Sequence, residues 1–398
     1  MSDSYDAIVV GLGAMGSATA CHLARRGARV LGLEQYTPGH TLGSSHGDSR
    51  IIRELYFEHP LYVPLVQRAY ELWAQVEEEA GVDLLHTTGG LMLGLPTSEL
   101  VRGALLSGDT HGIRAAMLTR EEIVERFPAF RPPPDFVAVW DARAGYLRAD
   151  ACTQAHATLA RRAGATLHYE EPLLRWEQDG DGVRVTTPAG QYRAARLALC
   201  VGAWTRSVLA DLALPLRVER QVLVWLDASA PAEDYGEEKF PIFMCEHTDG
   251  RLVYGLPRLE RGVKTAIHHE GRLHDSPDQA NRDVLPGDVD ALRDSLGRVL
   301  PRLAAAAVRE SCTCLYTDTP DGHFLIDFHP RYPQVLLSSP CSGHGFKFAS
   351  AIGEMQAELL LEGRARFDAS AFGFSRPAFR HCARLHAGEY VRRDPSGA

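Results

Sequence analysis

The sequence predicts an α/β protein in which a Rossmann-type dinucleotide domain, assembled from separated segments, receives a mixed, mainly antiparallel β domain. Three observations carry this. The chain opens as strand, tight glycine turn, helix and strand; strand-like text of another kind begins near Leu84; and a buried apolar strand of the first kind returns at Arg196.

Residues Asp6 to Val10 are apolar and β-branched, Ala14 to Arg26 keeps helical spacing, and Ala28 to Glu34 is apolar again, which makes a βαβ unit. A polar Gly/Ser/His loop, Gly39 to Ser49, leads into a long helical pattern from Pro60 to Ala80, stopped by Gly81. From Leu84 to Val139, short strands such as Gly90 to Leu95, a Glu-rich helix and the prolines at 132–134 mark a second domain. Asp150 to Gly164 is helical, and Arg196 to Val201 is a buried strand running into Gly202-Ala203-Trp204. Leu216 to Asp227 and Leu252 to Leu256 read as strands of the second domain, and from Cys312 the first is expected to resume. The expected division is therefore 1–83, 145–215 and 312–380 for the dinucleotide domain, 84–144 and 216–311 for the substrate domain, and an exposed tail at 381–398.

With 398 residues, 45% of them apolar, the chain has material for two cores. A formal charge of −9 argues against nucleic acid or an anionic membrane surface as partner. No apolar run reaches the roughly 20 residues that span a bilayer, and the N-terminus enters Ala7-Ile8-Val9-Val10 without a basic leader. A cytoplasmic monomer with a small-molecule ligand is expected. The eight cysteines are scattered without C-x-x-C pairs and read as free thiols, and no metal-ligand set is expected. Lysine occurs only at Lys239, Lys264 and Lys347, against a background of arginine. Those positions can mark a need for a compact, tunable ammonium.

Gly11-Leu12-Gly13-Ala14-Met15-Gly16 lies between the first strand and helix, with Glu34-Gln35 after the second strand. The first glycine permits the tight turn, the second lets backbone approach a pyrophosphate, and the third allows close packing of a helix whose N-terminus attracts phosphates. Glu34 would accept hydrogen bonds from ribose hydroxyls and disfavour a 2′-phosphate. The pattern alone leaves FAD and NAD open.

Further segments resemble the monomeric sarcosine oxidase and N-methyltryptophan oxidase family of flavoenzymes across nearly the whole chain. They are Gly43-Ser44-Ser45-His46-Gly47-Asp48-Ser49-Arg50-Ile51-Ile52-Arg53, Cys312-Thr313-Cys314-Leu315-Tyr316-Thr317, Ser342-Gly343-His344-Gly345-Phe346-Lys347-Phe348, and the stretch from Phe240 through Met244 and Tyr254 to Lys264 and His268. The resemblance implies FAD, a glutathione-reductase-like or p-hydroxybenzoate-hydroxylase-like fold, and a covalent bond from Cys314 to the flavin. It implies flavin contacts from Ser44, His46, Arg50, Gly202, Trp204, Gly343, Gly345, Phe346 and Lys347. Arg53 and Lys347 would hold a substrate carboxylate, Met244 and His344 would line the pocket, Tyr254 and His268 would orient the amine, and Lys264 would activate dioxygen.

The implied reaction is oxidation of a secondary amino acid to an imine, with dioxygen as acceptor and peroxide as product. Sarcosine or a similarly small N-methyl amino acid is the expected substrate, with N-methyltryptophan or a cyclic amino acid such as pipecolate as alternatives. Other readings left open are an FAD dehydrogenase with a different acceptor, an NAD-dependent imine or amino-acid reductase, and a non-catalytic flavoprotein subunit. Two departures from the family pattern, Pro340-Cys341 and Glu54, fall near the expected pocket. Glu54 would add a carboxylate to it.

Overall fold

The strand Ser4–Val10 pairs in parallel with Val30–Leu33 on one side and Gly190–Leu199 on the other. In this computed structural model, which describes residues 4–228 and 232–379, that trio is the centre of an eight-stranded sheet. Thr166–His168 extends it in parallel beyond Val30–Leu33, and Tyr332–Ser339 pairs in parallel with Gly190–Leu199. The central strands are buried and read as continuous apolar runs, as parallel strands covered on both faces do. The expected tail at 381–398 lies outside the described residues.

The helix Ala14–Arg25 crosses one face and is sandwiched by Ala149–Arg162 and Ala349–Glu362. Its contact with the last of these is backbone-close, because a Cβ on Gly353 would lie 2.6 Å from Ala18. This approach brings the turn before Ala349–Glu362 towards the glycine turn at the head of the first helix. The long pattern from Pro60 resolves into a 3-10 turn, Pro60–Tyr62, and the helix Val63–Ala80, which Gly81 ends in a left-handed conformation at φ 68°.

A second sheet has nine strands, ordered Leu273–His274, Arg217–Asp227, Gly262–His268, Leu252–Leu259, Ile242–Glu246, Gly90–Gly94, Val137–Asp141 and Ala116–Leu118, with Ala307–Asp318 also pairing to Arg217–Asp227. Every pairing is antiparallel except Ile242–Glu246 with Gly90–Gly94. One expectation shifts here. The strand Ala307–Asp318 carries Cys312 and Cys314 and pairs along its whole length with Arg217–Asp227. The chain therefore rejoins the first sheet only at Leu325–His329, which pairs with Tyr332–Ser339. A small third sheet, Ser49–Ile52 with Gly145–Arg148 and Leu85–Thr87, lies next in sequence to the loop of the first.

Candidate active site

At the head of the first helix the glycines are sterically required. Gly11 has φ +88°, and a Cβ on it would lie 2.4 Å from the Cys200 carbonyl oxygen; one on Gly16 would lie 1.7 Å from the Gly11 carbonyl oxygen. The helix starts at Gly13, which offers no capping side chain, and has no acidic residue in its first turn; the Ala14 N–H donates to Ser45 Oγ at 3.0 Å, and the positive end of the helix suits an anion. Buried Glu34 accepts the Leu12 N–H at 2.8 Å and the Tyr36 N–H at 3.1 Å, which fixes its carboxylate beside the turn. Tyr36 contacts the rings of His40 and Trp204 at 4.8 and 5.7 Å between centroids.

The Gly/Ser/His loop is folded around Arg50. Its guanidinium donates to the carbonyls of Ser49, Ser44 and His46 at 2.8, 2.9 and 2.6 Å, and lies 3.6 Å from the Cys314 sulfur. Cys314 thus sits against a fixed positive charge. Lys264 is buried and donates to the carbonyls of Gly47, at 2.7 Å, and Ser49, using two of its three donors. Burial, and then Arg50, hold its pKa well below the ordinary lysine value.

Arg53 is 1% exposed, and its Nη2 donates to both carboxylate oxygens of Glu58, at 2.6 and 2.5 Å. Its guanidinium also stacks over the Tyr56 and Phe57 rings, 4.2 and 4.6 Å from their centroids. Lys347, 5% exposed, donates to the His344 carbonyl at 2.7 Å and to the Tyr56 hydroxyl at 3.3 Å. Burial and the Arg53 charge pull its pKa down to about 7. His268 lies 3.3 Å from the Tyr316 hydroxyl, and burial followed by the neighbouring His269 holds it neutral.

Glu54 corrects the sequence reading. It is buried away from this cluster, where it accepts from Gln67 at 2.6 Å and Arg143 at 3.1 Å. The carboxylate that does reach Arg53 is Glu58, and no motif singles it out. Cys341 does line the cavity, its sulfur 3.2 Å from the Thr317 N–H.

These pieces face one continuous cavity of about 550 Å³. Its lining takes in Gly11, Gly13, Ala14, Met15, Glu34, Gln35, Ser44, His46, Arg50, Arg53, Gly202, Trp204, Met244, Tyr254, His268, Cys314, Gly343, His344, Gly345, Phe346 and Lys347. Of the residues singled out in the sequence, Gly16 and Lys264 are not on the wall: Gly16 packs beneath the turn, and Lys264 sits behind Ser49. Glu58 lines it without having been anticipated, and Ser49, Ile51 and Tyr316, which lie in the segments that carry the resemblance but were given no role, line it too. Buried side-chain atoms on this wall lack protein partners, among them Ser49 Oγ, Thr317 Oγ1, Ser339 Oγ and His46 Nε2. Such atoms call for water or a polar ligand. Together with the glycine turn, Glu34 and the helix N-terminus, they fit an adenine dinucleotide extending towards Arg53 and Lys347.

Residues 6–359 match the family described as FAD dependent oxidoreductase. The chain belongs to that family. It is 44% identical to a monomeric sarcosine oxidase from Streptomyces avermitilis over 91% of this chain and 95% of the relative. It is 31% identical to N-methyl-L-tryptophan oxidase from Escherichia coli K12 over 94% and 99%. Among solved structures it resembles NikD, an unusual amino acid oxidase essential for nikkomycin biosynthesis, with a TM-score of 0.81, 27% identity, and coverage of 94% and 98%. The family members' shared cofactor agrees with the cavity: this is an FAD-dependent enzyme with a mixed α/β fold.

Among the described residues, Glu219, His269 and Asp318 also bring one ligand-type atom each within 4.8 Å of one another, a grouping the sequence reading did not foresee. Two of its members are already joined, since Glu219 accepts the Gly271 N–H at 2.7 Å and pairs with His269 Nδ1 at 2.8 Å. No described helix is long and apolar enough to cross a membrane.

Proposed function

We propose that this chain oxidises a secondary amino acid, sarcosine or an N-methyl amino acid of similar size, and passes the electrons to dioxygen. The observation that carries the reading is the pair of buried cations, Arg53 and Lys347, which both line the cavity and both contact Tyr56. Two buried cations need anionic partners, and a substrate carboxylate supplies one. The relatives that share most of the chain are named for oxidising N-methyl amino acids.

Bound FAD would supply the two-electron acceptor for the C–H bond next to nitrogen. The protein's own work is orientation. Arg53 and Lys347 take the carboxylate, with Glu58 already paired to Arg53 Nη2. Tyr254, and His268 held neutral by burial and His269, orient the amine while the surrounding positive charge favours its reactive neutral form. Met244 forms an apolar wall. Lys264, fixed by Gly47 and Ser49, places positive charge where dioxygen gains electrons. Cys314, against Arg50, is the atom we assign to covalent attachment of the flavin. A cytoplasmic monomer belongs to the same reading.

A peroxide-coupled screen of N-methyl and cyclic amino acids of graded size tests the substrate. Turnover highest for sarcosine-sized compounds is expected; turnover only with aromatic or cyclic substrates would move the assignment, and equal turnover without oxygen would remove the oxidase. Acid precipitation tests the linkage. A yellow pellet is expected, whereas a colourless pellet under a yellow supernatant rules out the Cys314 bond.

A further inference from the structure

The segment that carries Arg53 is fastened at its backbone by residues from outside it. Asp141 accepts the N–H groups of Glu54 and Leu55 at 2.7 and 2.9 Å, the Ser107 hydroxyl donates to the Tyr56 carbonyl, and a Cβ on Gly103 would lie 2.3 Å from the Phe57 carbonyl oxygen. Tyr56 is therefore held with its fully buried side chain in one direction. Its ring lies under the Arg53 guanidinium at 4.2 Å. Its hydroxyl lies 2.7 Å from His344 Nδ1, and His344 Nε2 lies 3.1 Å from the Gly322 carbonyl oxygen. A carbonyl only accepts, so Nε2 carries the proton and Nδ1 is an acceptor. The Tyr56 hydrogen is then committed to His344, and the Tyr56 oxygen is left to accept from Lys347 at 3.3 Å. Burial keeps His344 neutral, with a pKa of about 4, which agrees with that tautomer.

We infer that Tyr56 is a positioning residue whose ring seats Arg53 and whose hydroxyl tethers Lys347, so that one side chain sets the spacing of the two cations. Its purpose rests on the proposed carboxylate site; the tether itself does not.

The test uses the holoenzyme and Tyr56→Phe, which keeps the ring and removes the hydroxyl. Acetate binding, followed by the change in the flavin's visible absorption, is expected to weaken about tenfold, the effect of one hydrogen bond to a charged group. KM for sarcosine should rise by a similar factor with kcat changing less than about twofold. In a Lys347→Met background the same substitution should cost almost nothing. With only three lysines in the chain, ¹³C labelling at the lysine ε-carbon reads Lys347 directly, assigned by its loss in Lys347→Met. Loss of the tyrosine acceptor should move its titration below the wild-type value. An unchanged Lys347 titration overturns the tether, and a full cost of Tyr56→Phe on top of Lys347→Met does the same. If wild type neither binds acetate nor oxidises a secondary amino acid, the functional reading fails, while the lysine titration still decides the tether.

Discussion

At the scale of single residues, the site is a set of buried cations held by short-range partners, and each partner makes a prediction. Both Glu58 oxygens accept from Arg53 Nη2, so a carboxylate ligand meets an internal one already paired with the guanidinium. Glu58→Gln keeps the shape and removes the competing charge. It should lower the KM for an amino-acid substrate several-fold, about 1 kcal/mol of relieved competition; a KM that rises instead would mean that Glu58 supports binding. Lys264 faces the opposite constraint, because burial and Arg50 lower its pKa. A depressed lysine pKa means that the ammonium is lost as pH rises, and lost earlier than for an exposed lysine. Reoxidation by oxygen should accordingly fall on raising pH below the ordinary lysine range, and Lys264→Met should abolish that dependence while slowing reoxidation about a hundredfold. Stopped-flow reduction by substrate should change far less, and equal loss in both half-reactions would remove the assigned role.

At the scale of elements, the same close approaches that build the cofactor turn also limit what can replace them. Gly353→Ala would force a methyl group to 2.6 Å from Ala18, where both neighbours are helical backbone or a buried Cβ. Separating the helices Ala14–Arg25 and Ala349–Glu362 should cost about 1–3 kcal/mol, read as a lower midpoint in chemical denaturation; an unchanged midpoint would show that the helices can part freely. The βαβ start was legible because its apolar periods and its glycine turn are local. The place of Cys314 in the second sheet was not, because its partner Gln221 lies far back in the chain and nothing near Cys314 encodes which strand it will meet. Arg53 illustrates the same limit at the site. Its residue type and spacing marked it as a carboxylate binder, but only the folded loop shows that Glu58 reaches it and that Glu54 turns away to Gln67 and Arg143.

At the scale of the whole molecule, the helical layer against the dinucleotide sheet contains two buried histidines, and these tie global stability to pH. His22 and His156 are 4% and 0% exposed, with ring centroids 6.5 Å apart, and His156 packs against Trp73 at 4.9 Å. Neither ring nitrogen of His156 has a hydrogen-bond partner. Burial, followed by nearby arginines, lowers the His22 pKa to about 3, and burial lowers that of His156 well below its usual value. Both are neutral in the fold and take up protons near pH 6.5 once unfolded. Below that pH the unfolded chain binds more protons, so stability falls as pH falls, by about 1.4 kcal/mol per pH unit for each histidine. The loss begins near 6.5 and continues until the folded-state values are reached. Replacing His156 by leucine removes one such group. The variant's stability, from denaturant unfolding of the holoenzyme between pH 7 and 4, should decline less steeply than wild type by about that one-proton slope. Parallel curves would show that His156 is not the group being titrated. The helices involved pack around the one that begins at the glycine turn, so acid loss of this layer and loss of non-covalent FAD contacts should occur together.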